Sequence, residues 1–146
     1  MKKIIFLVIV CGVLFFFVGC AAQQLLSYTP KSLEPHGRGI TIASSTPYNC
    51  RILGEVEGKD SSSAAMQGAT LEKLREGALN DLKNEAGAAV GNNRRIMLRI
   101  TNEASICQGV IKGALKEGEC RMFPSNIALS SISYRIHAEI FECGEK

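Results

Sequence analysis

The sequence predicts an α+β domain, one mixed sheet with one helix packed across it, in the order β-β-α-β-β. Two periodicities carry that prediction. Apolar and polar residues alternate before and after a central stretch, as half-buried strands do, and within that stretch apolar residues recur three or four apart, as on a helix. A third observation is four cysteines spread through the same region, which add a disulfide framework.

The elements follow in order. Residues 40–43 (ITIA) alternate and predict a short first strand. Residues 50–58 (CRILGEVEG) alternate again, with Ile52, Gly54 and Val56 facing one way and Leu53, Glu55 and Glu57 the other. Residues 59–68, with three consecutive serines, have the composition of a mobile loop. The period then changes. Leu71, Leu74, Ala78, Leu82, Ala86 and Ala89 form one apolar stripe, with Thr70 as N-cap, Glu72 in the first turn, and Gly91 with Asn92 as the stop. Residues 94–101 (RRIMLRIT) predict the third strand, with Ile96, Leu98 and Ile100 on one face. Residues 131–143 predict the last. There Ile132, Tyr134, Ile136, Ala138 and Ile140 alternate with Ser133, Arg135, His137 and Glu139, giving one buried and one wet face.

The first nineteen residues stand apart. Lys2 and Lys3 precede an apolar run over residues 4–17, and Val18-Gly19-Cys20 closes it. That is the order of a secretory signal peptide with a cysteine at the cleavage site. The segment resembles the lipobox of bacterial lipoproteins, which makes Cys20 the lipid-modified N-terminus of the mature chain and the membrane its partner. Phe17 stands where such sequences prefer Leu, and Cys11 is excluded as acceptor by the bulky Val10 before it. The apolar run is too short for an uncleaved anchor of about 20 residues. Ala21, rather than Asp, after the cysteine implies outer-membrane delivery, facing the periplasm, by resemblance to enterobacterial lipoproteins.

Loss of Lys2 and Lys3 lowers the formal charge of +3 to +1. A chain so nearly neutral has no basic field to recruit nucleic acid. Trp is absent and aromatics make up 6% of residues, which argues against a carbohydrate- or base-stacking platform. Residues 20–39, with Pro30, Pro35, Gly37 and Gly39 and little periodicity, read as a lipidated tether ahead of a domain over 40–146. Fully extended, residues 21–39 reach roughly 65 Å at 3.4 Å per residue.

Cys50, Cys107, Cys120 and Cys143 allow three pairings in an oxidising compartment. The topology favours one of them. Strands two and three, joined through a helix, should run parallel, and the fourth returns antiparallel, which brings Cys143 to the same sheet end as Cys50. Cys50–Cys143 is natural if those strands are neighbours, leaving Cys107–Cys120 to close the connection before the last strand.

A family likeness rests on these residues. Cys50-Arg-Ile-Leu-Gly54-Glu-Val-Glu-Gly58, the polar loop, Asn80-Asp-Leu-Lys-Asn84-Glu85-Ala86 and Gly91-Asn92-Asn93 together resemble a small bacterial lipoprotein domain of unknown function. More distantly, the chain is similar to the outer-membrane lipoprotein sensor of the Rcs envelope-stress pathway, which combines a lipid anchor, a tether, an L-G-x-V-x-G strand, an Ala-rich helix and two disulfides. The sensor's cysteine positions do not all match, so its pairing and partners do not carry over. The first family brings no activity.

No set of residues makes a catalytic motif. Glu55 and Glu57 share a strand face where alternating polar residues mark the solvated side rather than paired acid–base groups. His137 and Glu139 share the wet face of the last strand, and His36 supplies no third metal ligand at a workable spacing. Glu85 falls at the edge of the helix stripe, either with its oxygens in water or bonded to backbone near Gly54 or Asn93. Arg94, Arg95 and Arg99 offer an anionic-ligand patch or a plain solvated face. Residues 102–130, too long for a simple connection, are the best candidate for function. Val110, Ile111, Leu115 and Phe123 within them are expected either to fill a satellite core or to dock an envelope protein. The expected reading is a lipid-anchored, non-enzymatic interaction or stress-sensing protein of the bacterial cell envelope, with no cofactor and no metal. The alternative is a periplasmic ligand- or lipid-binding lipoprotein, which needs an apolar pocket between helix and sheet.

Overall fold

The computed structural model describes residues 27–63, 66–91 and 95–144. The signal segment, Cys20 and the first part of the tether lie outside the described residues, as do Asn92, Asn93 and Arg94. The elements are β1 (Thr41–Ala43), β2 (Arg51–Ser63), α1 (Leu71–Val90), β3 (Ile96–Ile111), β4 (Ala114–Glu119) and β5 (Leu129–Glu142), with short 3-10 turns at Pro35–Gly37 and Cys120–Met122. One mixed sheet of five strands carries the helix, so the α+β class holds with one strand more than the four expected.

The strand order is β1-β3-β5-β2, with β4 also on β3. Both β2 and β3 run antiparallel to β5 and hence parallel to each other, so α1 crosses back over β5 to join them. Thr70 caps α1 by accepting a hydrogen bond from the Lys73 N–H at 3.2 Å, and the Gly91 N–H closes on the Gly87 carbonyl at 3.0 Å. Ala78, Leu82 and Ala86 are fully buried against Ile40, Ile96, Leu98, Ile136, Ala138 and Ile140. Leu71 and Ala89, at the two ends of the expected stripe, are exposed. The helix rests on β2 at Gly58, where a Cβ would collide with the Ala78 carbonyl and the Leu82 amide. That approach explains the small side chains of the stripe and leaves no room for a ligand at the contact.

Four expectations change. First, a β-bulge between Ile52 and Gly54 flips the face of β2, so Leu53 and Val56 pack on the core while Ile52 is exposed. Second, β2 continues through residues 59–63, where a loop is expected from composition. Its pairing with β5 persists to Ser63↔Ser131, and its inward positions are Gly58, Asp60 and Ser62, all buried. Backbone pairing sustains the strand where apolar alternation stops.

Third, the segment expected as tether is a strap bound to the domain from Ser27 onward. Asp60 is 6% exposed and accepts hydrogen bonds from the Tyr28 hydroxyl at 2.6 Å, the Lys31 N–H at 3.0 Å and the Ser61 N–H at 2.8 Å. Burial, reinforced by Asp60, pushes the Tyr28 phenol well above its ordinary range. From α1, Asn80 and Asn84 donate to the Lys31 and Ser32 carbonyls, and Asn84 accepts from the Glu34 N–H at 2.8 Å. The buried polar side chain of the helix is therefore Asn84, while Glu85 is exposed. The strap has no periodicity because helix side chains, rather than a ladder, satisfy its backbone.

Fourth, residues 102–130 are chiefly strand. β3 runs on to Ile111, turns through Lys112 and Gly113, and returns as β4. Lys112 and Gly113 take φ of 51° and 79°, the geometry of a two-residue hairpin turn of the primed type.

Candidate functional site

The β3–β4 hairpin occupies one end of the sheet. β3 keeps its pairing with β5 as far as Gly109↔Leu129, and its remaining residues pair only with β4. The hairpin is braced by the Cys107–Cys120 disulfide, which joins a buried β3 residue to the 3-10 turn after β4. At the opposite end Cys50–Cys143 joins the residue before β2 to the residue after β5. The neighbourhood of β2 and β5 brings Cys50 to Cys143, and the β3–β4 pairing brings Cys107 beside Cys120, which is the pairing the topology favours.

Val110 and Leu115 face one another across the hairpin, 55% and 63% exposed. Cross-strand partners share a face, so the two side chains form one apolar surface. Ile111, opposite Ala114, is half-buried. Phe123 turns away from that pair into a small apolar pocket of about 180 Å³ against the disulfide, lined also by Leu71, Ile127 and Leu129. The expected contact residues therefore divide: Val110 and Leu115 present an outer surface, and Phe123 belongs to the satellite core beneath. Met122, at 72% exposed, and Leu71 are apolar and exposed on the opposite, helix-side face, where Met122 lies against Gly118 and Leu71 beside the disulfide. Neither was singled out as a contact residue from the sequence. Met122 stands one residue from Phe123, but only the 3-10 turn shows that it points outward.

The other candidate groups are committed to one another. On the open sheet face Arg99 donates to Glu139 at 2.6 and 2.9 Å, and His137 lies 3.4 Å from Glu57. Arg99 is therefore spent on a carboxylate, and Arg94 of the expected patch lies outside the described residues. A polar groove of about 350 Å³ crosses the same face between Lys59, Ser61, Gln108, Ser133 and Arg135. At the helix–sheet rim Arg75 makes a two-pronged bond to Glu103 at 2.7 and 2.8 Å, and the Tyr134 hydroxyl donates to Glu103 at 2.8 Å. The Arg75 guanidinium holds the Glu103 carboxyl below its usual range against the opposing effect of burial, and Tyr134 adds to the lowering. Burial first, then Glu103, raises the Tyr134 phenol. This triad is a structural clasp between α1, β3 and β5. No group of three His, Cys, Asp or Glu side chains converges as a metal site among the described residues.

These features define a small disulfide-stapled α+β domain with a projecting, partly apolar hairpin. The chain belongs to the family described as domain of unknown function DUF4156, whose model matches residues 31–143. The match begins within the strap, in accord with the strap being part of the folded unit. No curated protein and no solved structure matches the chain.

Proposed function

We propose that this protein is a lipid-anchored, non-enzymatic component of the bacterial cell envelope, facing the periplasm from the outer membrane, and that its domain is an interaction module working through the hairpin end. The observation that carries the reading is the exposure of Val110 and Leu115 on a hairpin held rigid by a disulfide, with Met122 exposed in the turn that follows it. Exposed apolar side chains on a braced element cost solubility and gain nothing for the fold, which is the mark of a contact surface. The signal-like N-terminus and the cysteine usage support export, and the lipobox-like Val18-Gly19-Cys20 supports an anchor. The distant likeness to the Rcs lipoprotein sensor supports stress sensing or assembly as the purpose of such a contact.

The ligand-carrying alternative has less support. Helix and sheet meet at backbone distance around Gly58, and the apolar pocket beside the disulfide, at about 180 Å³, is below the size of ordinary ligand sites, roughly 300 Å³ and up. Two measurements test the proposal. The mass of the N-terminal peptide should show acylated Cys20, and an unmodified thiol there removes the anchor. A photocrosslinker at Leu115 in cells should give a discrete adduct. Silence at Leu115 with an adduct from Arg135 would move the contact to the open sheet face.

A further inference from the structure

We propose that the occupant of the hairpin end is the lipid bilayer itself: this end of the domain docks on the surface of the membrane that anchors the chain. The inference deepens the reading above and rests on its lipid anchor at Cys20.

The path of the chain carries the argument. Ser27 bridges Gln67, and the Tyr28 N–H donates to the Gln67 carbonyl at 3.0 Å. Gln67 lies between the end of β2 at Ser63 and the start of α1 at Leu71. Ser63 and Gln108 both pair with Ser131, and Leu71 lines the pocket of the Cys107–Cys120 disulfide. The entry of the strap, the start of α1 and the hairpin therefore share one end of the molecule. The strap shortens the leash. From Cys20 to Ser27 is a span of seven residues, at most about 24 Å. The Cys50–Cys143 end lies the length of β2 away, about 43 Å for its 13 residues, and out of reach of a surface that the anchor holds close.

The surface at the near end suits a headgroup layer. Of the eight large apolar side chains exposed among the described residues, Met66, Leu71, Val110, Leu115 and Met122 lie at this end. Residues 66–71, 109–116 and 120–131 contain Lys112, Lys116 and Arg121 and no carboxylate, and the exposed Glu72 that follows Leu71 is itself followed by Lys73. Glu117 and Glu119, between those segments, are engaged by Gln108 and Arg121 respectively. Lys112 and Lys116 make no ion pair among the described residues, so two free cations flank Val110 and Leu115 at the hairpin tip. Apolar side chains that enter the interface beside lysines that reach for phosphate match an anionic lipid surface in both respects.

The sequence lacks tryptophan, so a single introduced one reports without background. The full chain, purified from membranes, is placed in phosphatidylethanolamine–phosphatidylglycerol vesicles with brominated acyl chains, carrying Leu115→Trp, Met122→Trp or Tyr48→Trp. Tyr48 is 90% exposed beside the opposite disulfide. Quenching at Leu115→Trp and Met122→Trp several-fold above that at Tyr48→Trp is expected. Adding Lys112→Glu and Lys116→Glu should weaken docking roughly fivefold or more on these vesicles and far less on phosphatidylcholine alone. The mass of the N-terminal peptide of the same preparation separates the two claims. Acylated Cys20 with equal or absent quenching at all three positions overturns docking and leaves the anchor standing. An unmodified Cys20 removes the anchor and the docking proposal with it. A protein adduct from Leu115 in cells, with no quenching by lipid, gives the hairpin to a protein instead and likewise overturns docking.

Discussion

The two ends of the sheet use the same covalent chemistry for different purposes. At one end Cys50–Cys143 bridges residues 93 apart, and the neighbouring Arg51–Glu142 pair at 2.6 Å ties the same strand ends. At the other, Cys107–Cys120 spans only 13 residues and holds up a hairpin whose tip leaves the core behind. The first bridge constrains the whole chain before it folds. The second closes a much shorter loop in the unfolded chain and, in the fold, braces a surface. The difference teaches that a disulfide's worth to stability and its worth to function need not rise together.

The largest expected effect tests that contrast directly. Replacing Cys50 and Cys143 together with serine should cost about 4–5 kcal/mol, and replacing Cys107 and Cys120 about 3 kcal/mol, by loop-closure entropy. Denaturant titration of both double variants checks the order, and hydrogen exchange sharpens it. The first pair should lower protection across β2, β5 and α1, whereas the second should lower it chiefly over residues 106–122. Equal, global losses in both would erase the distinction between the ends.

The strap comes next, because it leads into the hairpin end. Asp60→Asn should destabilise the domain by about 2 kcal/mol, since the carboxylate is buried and three donors converge on it. Limited proteolysis should then cut within residues 27–39 before it cuts elsewhere. Tyr28 gives the same strap a pH signature. Its phenol is raised in the fold, so its contribution is complete below the ordinary tyrosine range near pH 10 and is lost as pH rises beyond it. Alkaline titration followed by tyrosine absorbance should show two late-titrating groups, Tyr28 and Tyr134, of which Tyr28→Phe removes one.

Glu103 should have a smaller effect with the opposite sign. Its carboxyl is lowered, so its contribution is complete above the ordinary carboxylate range and fades as pH falls below about 4. Arg75 is 45% exposed, which screens the pair and keeps the expected loss in Glu103→Gln under about 1 kcal/mol at neutral pH. A variant that loses its stability at alkaline pH instead would reverse this assignment. The smallest effect belongs to the exposed apolar side chains of the hairpin and the turn after it. Leu115→Ser and Met122→Ser should change stability by under about 0.5 kcal/mol, because both side chains are exposed, while abolishing the contact.

The sequence was most legible where one periodicity ran without interruption. The stripe through Leu74, Ala78, Leu82 and Ala86 and the alternation from Ile132 to Ile140 each announce an element whose burial the structure repeats. Legibility failed where backbone rather than side chains does the joining. Ser61, Ser62 and Ser63 carry no apolar signal, yet they pair with β5 residue for residue. The hairpin turn at Lys112-Gly113 has only one of the residues that mark such turns, so β3 and β4 merged into an apparent loop. The bulge between Ile52 and Gly54 reversed an otherwise correct alternation. The strap was hidden for a different reason: Asp60, Asn80 and Asn84 are ordinary polar residues until the fold sets them against a backbone. Of the candidate contact residues, Val110 and Leu115 meet on the hairpin surface, and Phe123 sits beneath it.

The most direct test of the account is a paired crosslinking measurement in living cells, with one photoreactive residue at Leu115 and one at Tyr48. These positions mark the two ends and are both exposed. The account predicts a discrete adduct, to lipid or protein, from Leu115 and none from Tyr48. Adducts from Tyr48 alone, or equal yields from both, would contradict the claim that the hairpin end is the working surface of this protein.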